Sequence, residues 1–365
     1  MSSNEFQHLP VAGDIKASRQ RIQFCAQQQL FKHAITKEFG GFEDGFQQLV
    51  EKHQALGQSS NDCGLILSIN AHLWGSVFPI LNYGSAEQKQ TWLAGLISGN
   101  IIGGHAITEP HTGSDVNAIA TVATETKAGF VINGHKRFIT NTPIADILVV
   151  YAKINDKLSA FIIKNDDPGV KFCNNPQVTG CTTATMGDVL LQDCVIPVDR
   201  QLGKTGAGNM MIQSALELER AFIFAGIAGI MDWQLKQVIR YSRERLINGV
   251  HLGSHQAISH KIAEMKVRLE SIRLWVNECA RLKDNKKRIT LASAQTKLFA
   301  SEAFLQSSLD AIQIMGSTGM TVDNPLNQLA QDAMASRLFS GSSEIQKNII
   351  AALLGTGEGF KSNTI

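Results

Sequence analysis

The sequence predicts a mainly α fold with a β module at its centre, because the spacing of apolar residues changes twice along the 365-residue chain. Up to about residue 103, apolar side chains recur every three or four positions, as in amphipathic helices. Between about 104 and 206 the period is two, which is typical of strands. From 207 the helical period returns and lasts to about residue 354. We therefore expect three domains: 1–103 helical, 104–206 β-structured and 207–365 helical.

Glycines at 40–41, 57 and 84 divide the first helical zone into predicted helices at 22–30, 45–56, 61–81 and 86–96. Ser85 is a good N-cap for the last of these helices, and Gln88 follows three positions later, as in a capping box. These signals predict a compact helical domain before the β module.

Turn signals and alternating residues define the β module. We predict strands at 121–126, 130–132, 135–140, 147–153, 158–164 and 189–196. Lys127-Ala128-Gly129 is predicted as one turn, and Asn133-Gly134 as a type I′ hairpin. The absence of βαβ alternation disfavours a Rossmann fold, and Val198 stands where a phosphate-binding loop ending at Gly203 would need glycine.

Composition excludes several classes of function. The chain has 34 Lys+Arg and 32 Asp+Glu, a net charge of +2, which argues against nucleic-acid binding. Charged residues make up 18%, below the roughly 25% of typical domains, which indicates surface hidden in a homo-oligomer. The 6 cysteines are scattered without metal-ligand spacing, so we expect reduced thiols, no metal site and a cytoplasmic protein. We also expect no segment that spans a membrane.

Two polar runs could bind a ligand. Residues 106–115 combine hydroxyls, a proline-fixed turn and a glycine, which suits a polar ligand edge. In the run 133–141, Phe138 and Thr140 would share one strand face, so that an aromatic ring and a hydroxyl could hold a flat heterocycle. For each run alone, an ordinary capped turn or plain strand packing is the alternative.

Both runs, with five further motifs, resemble the acyl-CoA dehydrogenase family of flavoproteins, and the resemblance covers the chain from about Glu38 onward. The resemblance implies an N-terminal helical domain, a middle β-barrel and a C-terminal four-helix bundle, usually assembled as a homotetramer. It implies FAD as the cofactor, an acyl thioester as the substrate and an electron-transfer flavoprotein as one candidate acceptor. The further motifs are 83–89, 218–220, 255–265, 313–319 and 341–346.

The resemblance also assigns roles to individual residues. Thr108 and Ser114 match residues that hold the flavin and the thioester, while Phe138, Ile139 and Thr140 match the strand along the isoalloxazine. A second set matches contacts to the FAD of a neighbouring subunit and to its adenosine half. That set consists of Arg245, Gln313, Gly316 and Ser317 for the neighbour's FAD, with Ser342 and Glu344 for the adenosine half.

The family reaction requires a carboxylate that takes the α-proton of the thioester while the β-hydride goes to flavin N5. Most members place this carboxylate where Ser340 stands here, and serine cannot replace it. A minority place a glutamate directly before an arginine on a helix of the last domain, where this chain has Glu219 and Arg220. Glu219 also lies on an apolar helical stripe, and a buried lone carboxylate is often functional. We therefore predict Glu219 as the base, with a structural ion pair as the alternative.

Glu217 is predicted as the more exposed i,i+3 partner of Arg220, which by resemblance faces the pantetheine arm of the substrate. No histidine is expected to rival Glu219. His72 either indicates a small or polar acyl group or is a satisfied core histidine.

Departures from the usual family residues at Asn248, Gln328 and Gln331 favour a specialised branch, in which an amino- or hydroxyacyl group is tethered to an acyl or peptidyl carrier protein. A flavin monooxygenase of the same fold and a flavin-free binding protein are the remaining alternatives.

Overall fold

A computed structural model of the chain describes residues 5–174 and 178–357. The start of the first predicted domain and the end of the third therefore lie outside the described residues. The helical prediction for the first zone is confirmed, and so is the capping box of Ser85 and Gln88. The helices are α1 (Ile15–Gln27), α2 (Gly45–Ser60), α3 (Cys63–His72), α4 (Phe78–Tyr83) and α5 (Ala86–Ile97).

Helices α3 and α4 form one continuous segment, because the π-helical turn Leu73–Val77 joins them. By length and composition the segment Cys63–Tyr83 could cross a membrane, which the sequence analysis did not anticipate. Of its apolar window, 94% is buried inside the protein, as in the core helix of a folded domain. We therefore interpret it as the core helix of the first domain.

The middle of the chain forms a mixed sheet in the strand order β6-β7-β3-β2-β4-β5-β8, with β1 paired to β4. Most pairs are antiparallel, while β1 and β2 each pair with β4 in parallel. A separate apolar core that includes Phe130, Leu148 and Phe161 lies within this domain. The strands are β1 (His105–Ala106), β2 (Val122–Thr126), β3 (Gly129–Thr140), β4 (Ile147–Ile154), β5 (Lys157–Lys164), β6 (Val170–Asn174), β7 (Met186–Ile196) and β8 (Gln201–Leu202).

The predicted hairpin at Asn133-Gly134 is wrong. Both residues lie inside β3, where the register against β7 shifts between Ile132 and Gly134. Asn133 exchanges hydrogen bonds with Asp193 of β7, at 3.1 Å through its Nδ2 and 2.8 Å through its Oδ1. A Cβ on Gly134 would lie 2.3 Å from Thr121 Oγ1, so glycine is needed for close approach rather than for a turn. The hairpin turn lies instead between β2 and β3, at the predicted Lys127-Ala128.

The last domain is built around α6, whose segment 221–231 is buried on every side. A helix that is apolar all round belongs in a core, and α6 accordingly packs against α2, α3, α7 and α8. The shorter helices α9 and α10 pack on α8. The helices are α6 (Gly208–Glu244), α7 (Gln256–Asp284), α8 (Thr290–Met315), α9 (Pro325–Ser336) and α10 (Ser343–Leu353), and the short strands β9 (Leu246–Ile247) and β10 (Val250–His251) pair after α6.

We expect the substitution His53→Leu to reduce the acid sensitivity of the fold. His53 on α2 is fully buried, and neither ring nitrogen has a hydrogen-bond partner within residues 5–174 and 178–357. Burial lowers its pKa from 6.5 to about 3, with a further contribution from His33. Between these two values the unfolded chain binds a proton that the folded chain does not, so stability falls as the pH falls. For each unit by which the pH falls, the free energy of unfolding of the wild type should decrease by up to about 1.4 kcal/mol more than that of the variant.

Urea unfolding midpoints between pH 7 and pH 5 measure this difference. The control is His260→Leu, on the exposed face of α7, which should keep the wild-type slope. Equal slopes for the wild type and His53→Leu would show that His53 does not carry the acid sensitivity.

Candidate active site

The two polar runs meet at the start of the β domain. The backbone N–H of Arg137 in β3 donates to Thr108 O at 2.9 Å. Lys136 Nζ, from the same strand, donates to Ile107 O at 3.2 Å and to Glu109 Oε1 at 2.8 Å. The fold therefore joins residues 107–109 to residues 136–137, which periodicity alone could not show.

Lys136 and Glu109 form a buried ion pair, with side chains 0% and 2% exposed. Glu109 also accepts hydrogen bonds from Ala120 N, Thr121 N and Thr121 Oγ1. Burial opposes its ionisation, but the Lys136 ammonium and these donors outweigh burial and hold the pKa of Glu109 at about 2. Burial lowers the pKa of Lys136 to about 8 despite the neighbouring carboxylate. The ion pair therefore holds the two polar runs, 106–115 and 133–141, in one fixed arrangement.

Phe138 lies on a strained part of β3. Its φ is +56°, and the register against β7 shifts between Lys136 and Ile139. Its ring is 48% exposed and Thr140 is half-buried, whereas Ile139 between them is 3% exposed, in agreement with one shared outer face. The Arg137 guanidinium lies 5.0 Å from the ring centroid. An exposed aromatic ring on strained backbone is typical of a ligand-binding position.

Glu219 lies on α6, where it is 5% exposed. Its Oε1 accepts a 2.8 Å hydrogen bond from Ser340 Oγ, while its buried Oε2 has no hydrogen-bond partner in the described part of the chain. Within the described residues, no lysine or arginine nitrogen lies within ion-pair distance of this carboxylate, so the alternative of a structural ion pair to arginine is wrong. A buried carboxylate with one restrained and one unpaired oxygen is suited to accept a proton.

Ser340 connects Glu219 and Arg220 to the segment before α10. Besides donating to Glu219, Ser340 accepts a 3.0 Å hydrogen bond at its backbone oxygen from Arg220 Nε. The residue has a φ of +56°, which directs the chain back towards α6. The position before Gly341 and the position of Glu219 therefore reach the same point in space.

Glu217 and Arg220 do not form the predicted i,i+3 pair. Glu217 Oε2 accepts a 2.6 Å hydrogen bond from Thr290 Oγ1 at the start of α8. Arg220 is only 3% exposed and turns its guanidinium to Ser340. Burial lowers the pKa of Arg220, against the effect of Glu219 and Glu217 nearby. Glu217 thus connects α6 to α8, and only Arg220 stays beside Glu219.

His105 on β1 was missed by sequence reasoning. Its Nε2 lies 3.6 Å from Glu219 Oε2, and its buried Nδ1 has no hydrogen-bond partner among the residues that the structure describes. Burial lowers the pKa of His105, while Glu219 partly opposes this shift. Its position directly before the polar run 106–115 was the available signal. That no histidine rivals Glu219 as the base stays a prediction, although His105 lies beside the carboxylate.

His72, by contrast, is a satisfied core histidine. Its Nδ1 accepts a 3.1 Å hydrogen bond from Gly103 N and its Nε2 lies 3.0 Å from Leu96 O. Burial lowers its pKa to about 4. Gln328 is also structural, because its Nε2 donates to Thr179 O and Asp332 Oδ1. Neither residue informs substrate recognition.

Family models and known proteins match along nearly the entire chain. The N-terminal, middle and C-terminal domain models of acyl-CoA dehydrogenase match residues 7–100, 104–194 and 206–355. The chain belongs to the acyl-CoA dehydrogenase family. It is 34% identical to an L-prolyl-[peptidyl-carrier protein] dehydrogenase of Pseudomonas fluorescens, over 90% of this chain and 88% of that protein. It is 36% identical to the mitochondrial short-chain specific acyl-CoA dehydrogenase of Mus musculus, over 82% of this chain and 74% of that protein.

Solved structures agree with this membership. The prolyl acyl carrier protein oxidase AnaB superposes with a TM-score of 0.92 at 33% identity, covering 97% of each chain. PigA with FAD and proline superposes with a TM-score of 0.89 at 30% identity, covering 97% of this chain and 92% of PigA. As an acyl-CoA dehydrogenase family member, the chain is an FAD-dependent oxidoreductase acting on a CH–CH bond.

The residues present fit a flavin. The side-chain hydroxyls of Thr108, Ser114 and Thr140 make no hydrogen bond to the described part of the chain, and the Phe138 ring is exposed. They are therefore free to bind the polar edge of an isoalloxazine, while Phe138 offers an aromatic face. Ser342 caps α10, with Glu344 in its first turn, two and four residues after Ser340.

The remaining predicted FAD residues lie at the other end of α6. Tyr241 Oη donates to Met315 O at 3.3 Å, which holds the end of α6 beside the end of α8. Arg245 is thereby held at the same end of the bundle as Gln313, Gly316 and Ser317, which are exposed. Along the helix axis, Arg245 lies roughly 40 Å from Glu219. One protomer therefore does not bring this set to Glu219.

The buried pair makes a testable prediction about stability. We expect Glu109→Gln to lower the free energy of unfolding by about 3–5 kcal/mol, because it leaves the Lys136 ammonium buried without a counter-ion. Lys136→Met should lower the free energy of unfolding by less, since Glu109 keeps its hydrogen-bond donors from Ala120 and Thr121. The double variant is the control and should recover part of the Glu109→Gln loss.

Urea unfolding followed by circular dichroism measures the effect on all three variants. A loss below about 1 kcal/mol for Glu109→Gln would contradict a fold that depends on this pair.

Proposed function

We propose that the protein oxidises the α,β bond of a small aminoacyl thioester carried by a carrier protein, with Glu219 as the base. The observation that carries the proposal is the buried Glu219 carboxylate, whose Oε2 has no partner within the described residues. A carboxylate in such a site is costly to retain and is poised to accept a proton. The amino acid and its tether are supported by the similarity to the carrier-protein prolyl dehydrogenases.

Each residue has a distinct part in this proposal. Ser340 Oγ holds Oε1 of Glu219, so Oε2 is left to take the α-proton. Bound FAD supplies the hydride acceptor for the β-carbon. The rings of Phe222, Phe46 and Trp74 lie one turn beyond Glu219, with centroids 5.0 Å apart for Phe222–Phe46 and 5.7 Å for Phe222–Trp74. This aromatic cluster forms an apolar wall beside the base and limits the access of water to it.

A short-chain acyl-CoA is the competing substrate, because the similarity to the mouse short-chain enzyme is of the same order. The polar His105 beside the base favours a substrate with a polar group at this point over a plain alkyl chain. A flavin monooxygenase is less well supported, since members with that chemistry do not retain the glutamate.

Anaerobic mixing with a panel of thioesters tests the function. Prolyl and short acyl groups would each be presented on carrier protein, on CoA and on pantetheine. We expect bleaching of the flavin absorbance, fastest with prolyl-carrier protein. Glu219→Gln should bind FAD and yet bleach at least about 1,000-fold more slowly, because removing the base removes the proton acceptor.

The control is Glu217→Gln, which alters a carboxylate two residues away on the same helix and should keep most of the rate. No bleaching with any thioester would exclude the dehydrogenase proposal. Unchanged turnover in Glu219→Gln would favour the monooxygenase.

We further propose that the chain assembles as a homotetramer. Val267 and Leu274 lie seven residues apart on α7 and are 65% and 72% exposed, so they form one apolar stripe. A neighbouring cavity of about 510 Å³ between α7, α8 and α10 is lined by Trp275, Phe299 and Ile350 among others. The distance of roughly 40 Å between Arg245 and Glu219 along α6 also supports assembly, because a neighbour could complete the FAD site.

Leu274→Asp should weaken this assembly, because it places a charge in the apolar stripe. Light scattering after size-exclusion chromatography should give about four times 39.7 kDa for the wild type and a lower mass for the variant. Lys127→Asp, in the exposed turn between β2 and β3, is the control. A monomeric wild type would exclude the tetramer.

The cytoplasm is our proposed location, supported by the 6 cysteines, all of which are free thiols.

Two electron acceptors remain for the reduced flavin, an electron-transfer flavoprotein and dioxygen. The description of AnaB as an oxidase supports dioxygen. Reoxidation of the bleached enzyme in air distinguishes them.

A further inference from the structure

We propose that His105 is a specificity-determining residue, which binds the α-amino nitrogen of the substrate beside Glu219. This inference rests on the proposed function and names the feature of the site that selects an aminoacyl group. The family reaction removes a proton and a hydride from adjacent carbons. That reaction does not itself require a residue in the position of His105.

The geometry of the two side chains points to a shared substrate atom. His105 Nε2 and Glu219 Oε2 are 3.6 Å apart, which is too far for a direct hydrogen bond. Both side chains are largely buried, 14% and 6% exposed, and Glu219 Oε2 is unpartnered. Two polar groups that face each other without bonding leave a position for a donor from outside the chain.

The chemistry of an aminoacyl thioester matches this position. Its α-carbon carries both the proton that Glu219 would remove and the nitrogen, which is about 1.5 Å from that carbon. When the α-proton faces Oε2, the nitrogen is therefore close enough to reach an acceptor a few ångströms away. His105 Nε2 is such an acceptor in the tautomer that carries its proton on Nδ1.

Burial lowers the pKa of His105 and favours the neutral ring, which has a lone pair to offer, despite the opposing effect of Glu219. The neutral ring also avoids a permanent ion pair that would occupy the base. An acyl group without nitrogen leaves these polar atoms without a donor, and a site of this kind rejects such analogues.

The surrounding backbone holds the His105 ring in place. A Cβ on Gly75, in the π-helical turn, would lie 2.7 Å from His105 N and 3.1 Å from its Cγ, so the absence of a side chain there makes room for the ring. Ser76 Oγ donates to Gly104 O at 2.9 Å, and His72 accepts from Gly103 N at 3.1 Å. The irregular turn therefore fixes residues 103–105 in front of α6, a use typical of π turns at functional sites.

The test compares prolyl and cyclopentanecarbonyl thioesters of pantetheine, which differ at the ring nitrogen and share one tether. We expect the wild type to prefer the prolyl compound in kcat/KM and His105→Phe to reduce this preference by roughly 10- to 100-fold. His105→Gln, which keeps a polar end, should retain part of the preference. His260→Phe, on the exposed face of α7, is the control and should keep all of it.

Binding provides a readout without turnover. Calorimetry with the two amide analogues, in which NH replaces the thioester sulfur, should show the same preference in dissociation constants for the wild type and lose it in His105→Phe. The FAD absorbance and circular dichroism of each variant report whether it is folded and loaded.

An unchanged prolyl preference in a folded His105→Phe would overturn the role of His105 and leave the proposed function intact. Equal affinity of the wild type for both amide analogues would also overturn it, without need of any variant. A wild type that oxidises neither prolyl thioester nor prolyl-carrier protein would overturn the proposed function instead, and the role of His105 with it.

Discussion

The buried pair of Lys136 and Glu109 is the interaction on which the arrangement of the β domain depends. An ammonium on β3 and a carboxylate on the 106–115 run can be buried only together, because either charge alone would remain unpaired in the core. Their bond holds the strand that carries Phe138 against the run that carries Thr108, and the backbone N–H of Arg137 donates to Thr108 O at 2.9 Å. The aromatic face and the hydroxyls suited to a flavin therefore occupy fixed relative positions before any cofactor binds.

Helix α6 provides a second constraint, since it buries a carboxylate among apolar residues and leaves one oxygen free. Ser340 restrains the other oxygen with a neutral hydrogen bond, where an arginine would place a positive charge against the carboxylate. Arg220, the adjacent residue, binds the backbone oxygen of Ser340 instead of the carboxylate. Glu219 and Arg220 thus share Ser340 as a hydrogen-bond partner and form no ion pair with each other in the described part of the chain.

The sequence predicted the order of the domains, most helices and the burial of Glu219, because each follows from a local period of apolar residues. It could not predict what depends on neighbours distant in the chain. Asn133-Gly134 has the local signature of a turn, yet Thr121 and Asp193 hold it in a bulged strand. The expected Glu217–Arg220 pair is reasonable on an isolated helix, but Thr290 and Ser340 from other elements bind these two side chains instead.

His72 and His105 illustrate the same limit at the site. In the sequence, His72 lies among bulky neighbours, so a role in shaping an acyl pocket and a role as a core histidine are both open. In the structure its two ring nitrogens form hydrogen bonds with the backbone at Leu96 and Gly103, and these bonds position the loop that leads to His105. The histidine that reaches the carboxylate is thus held in place by the one that does not. These different roles of the two histidines arise from tertiary contacts. The chemistry beside Glu219 therefore depends on how three elements pack together: the π turn, β1 and α6.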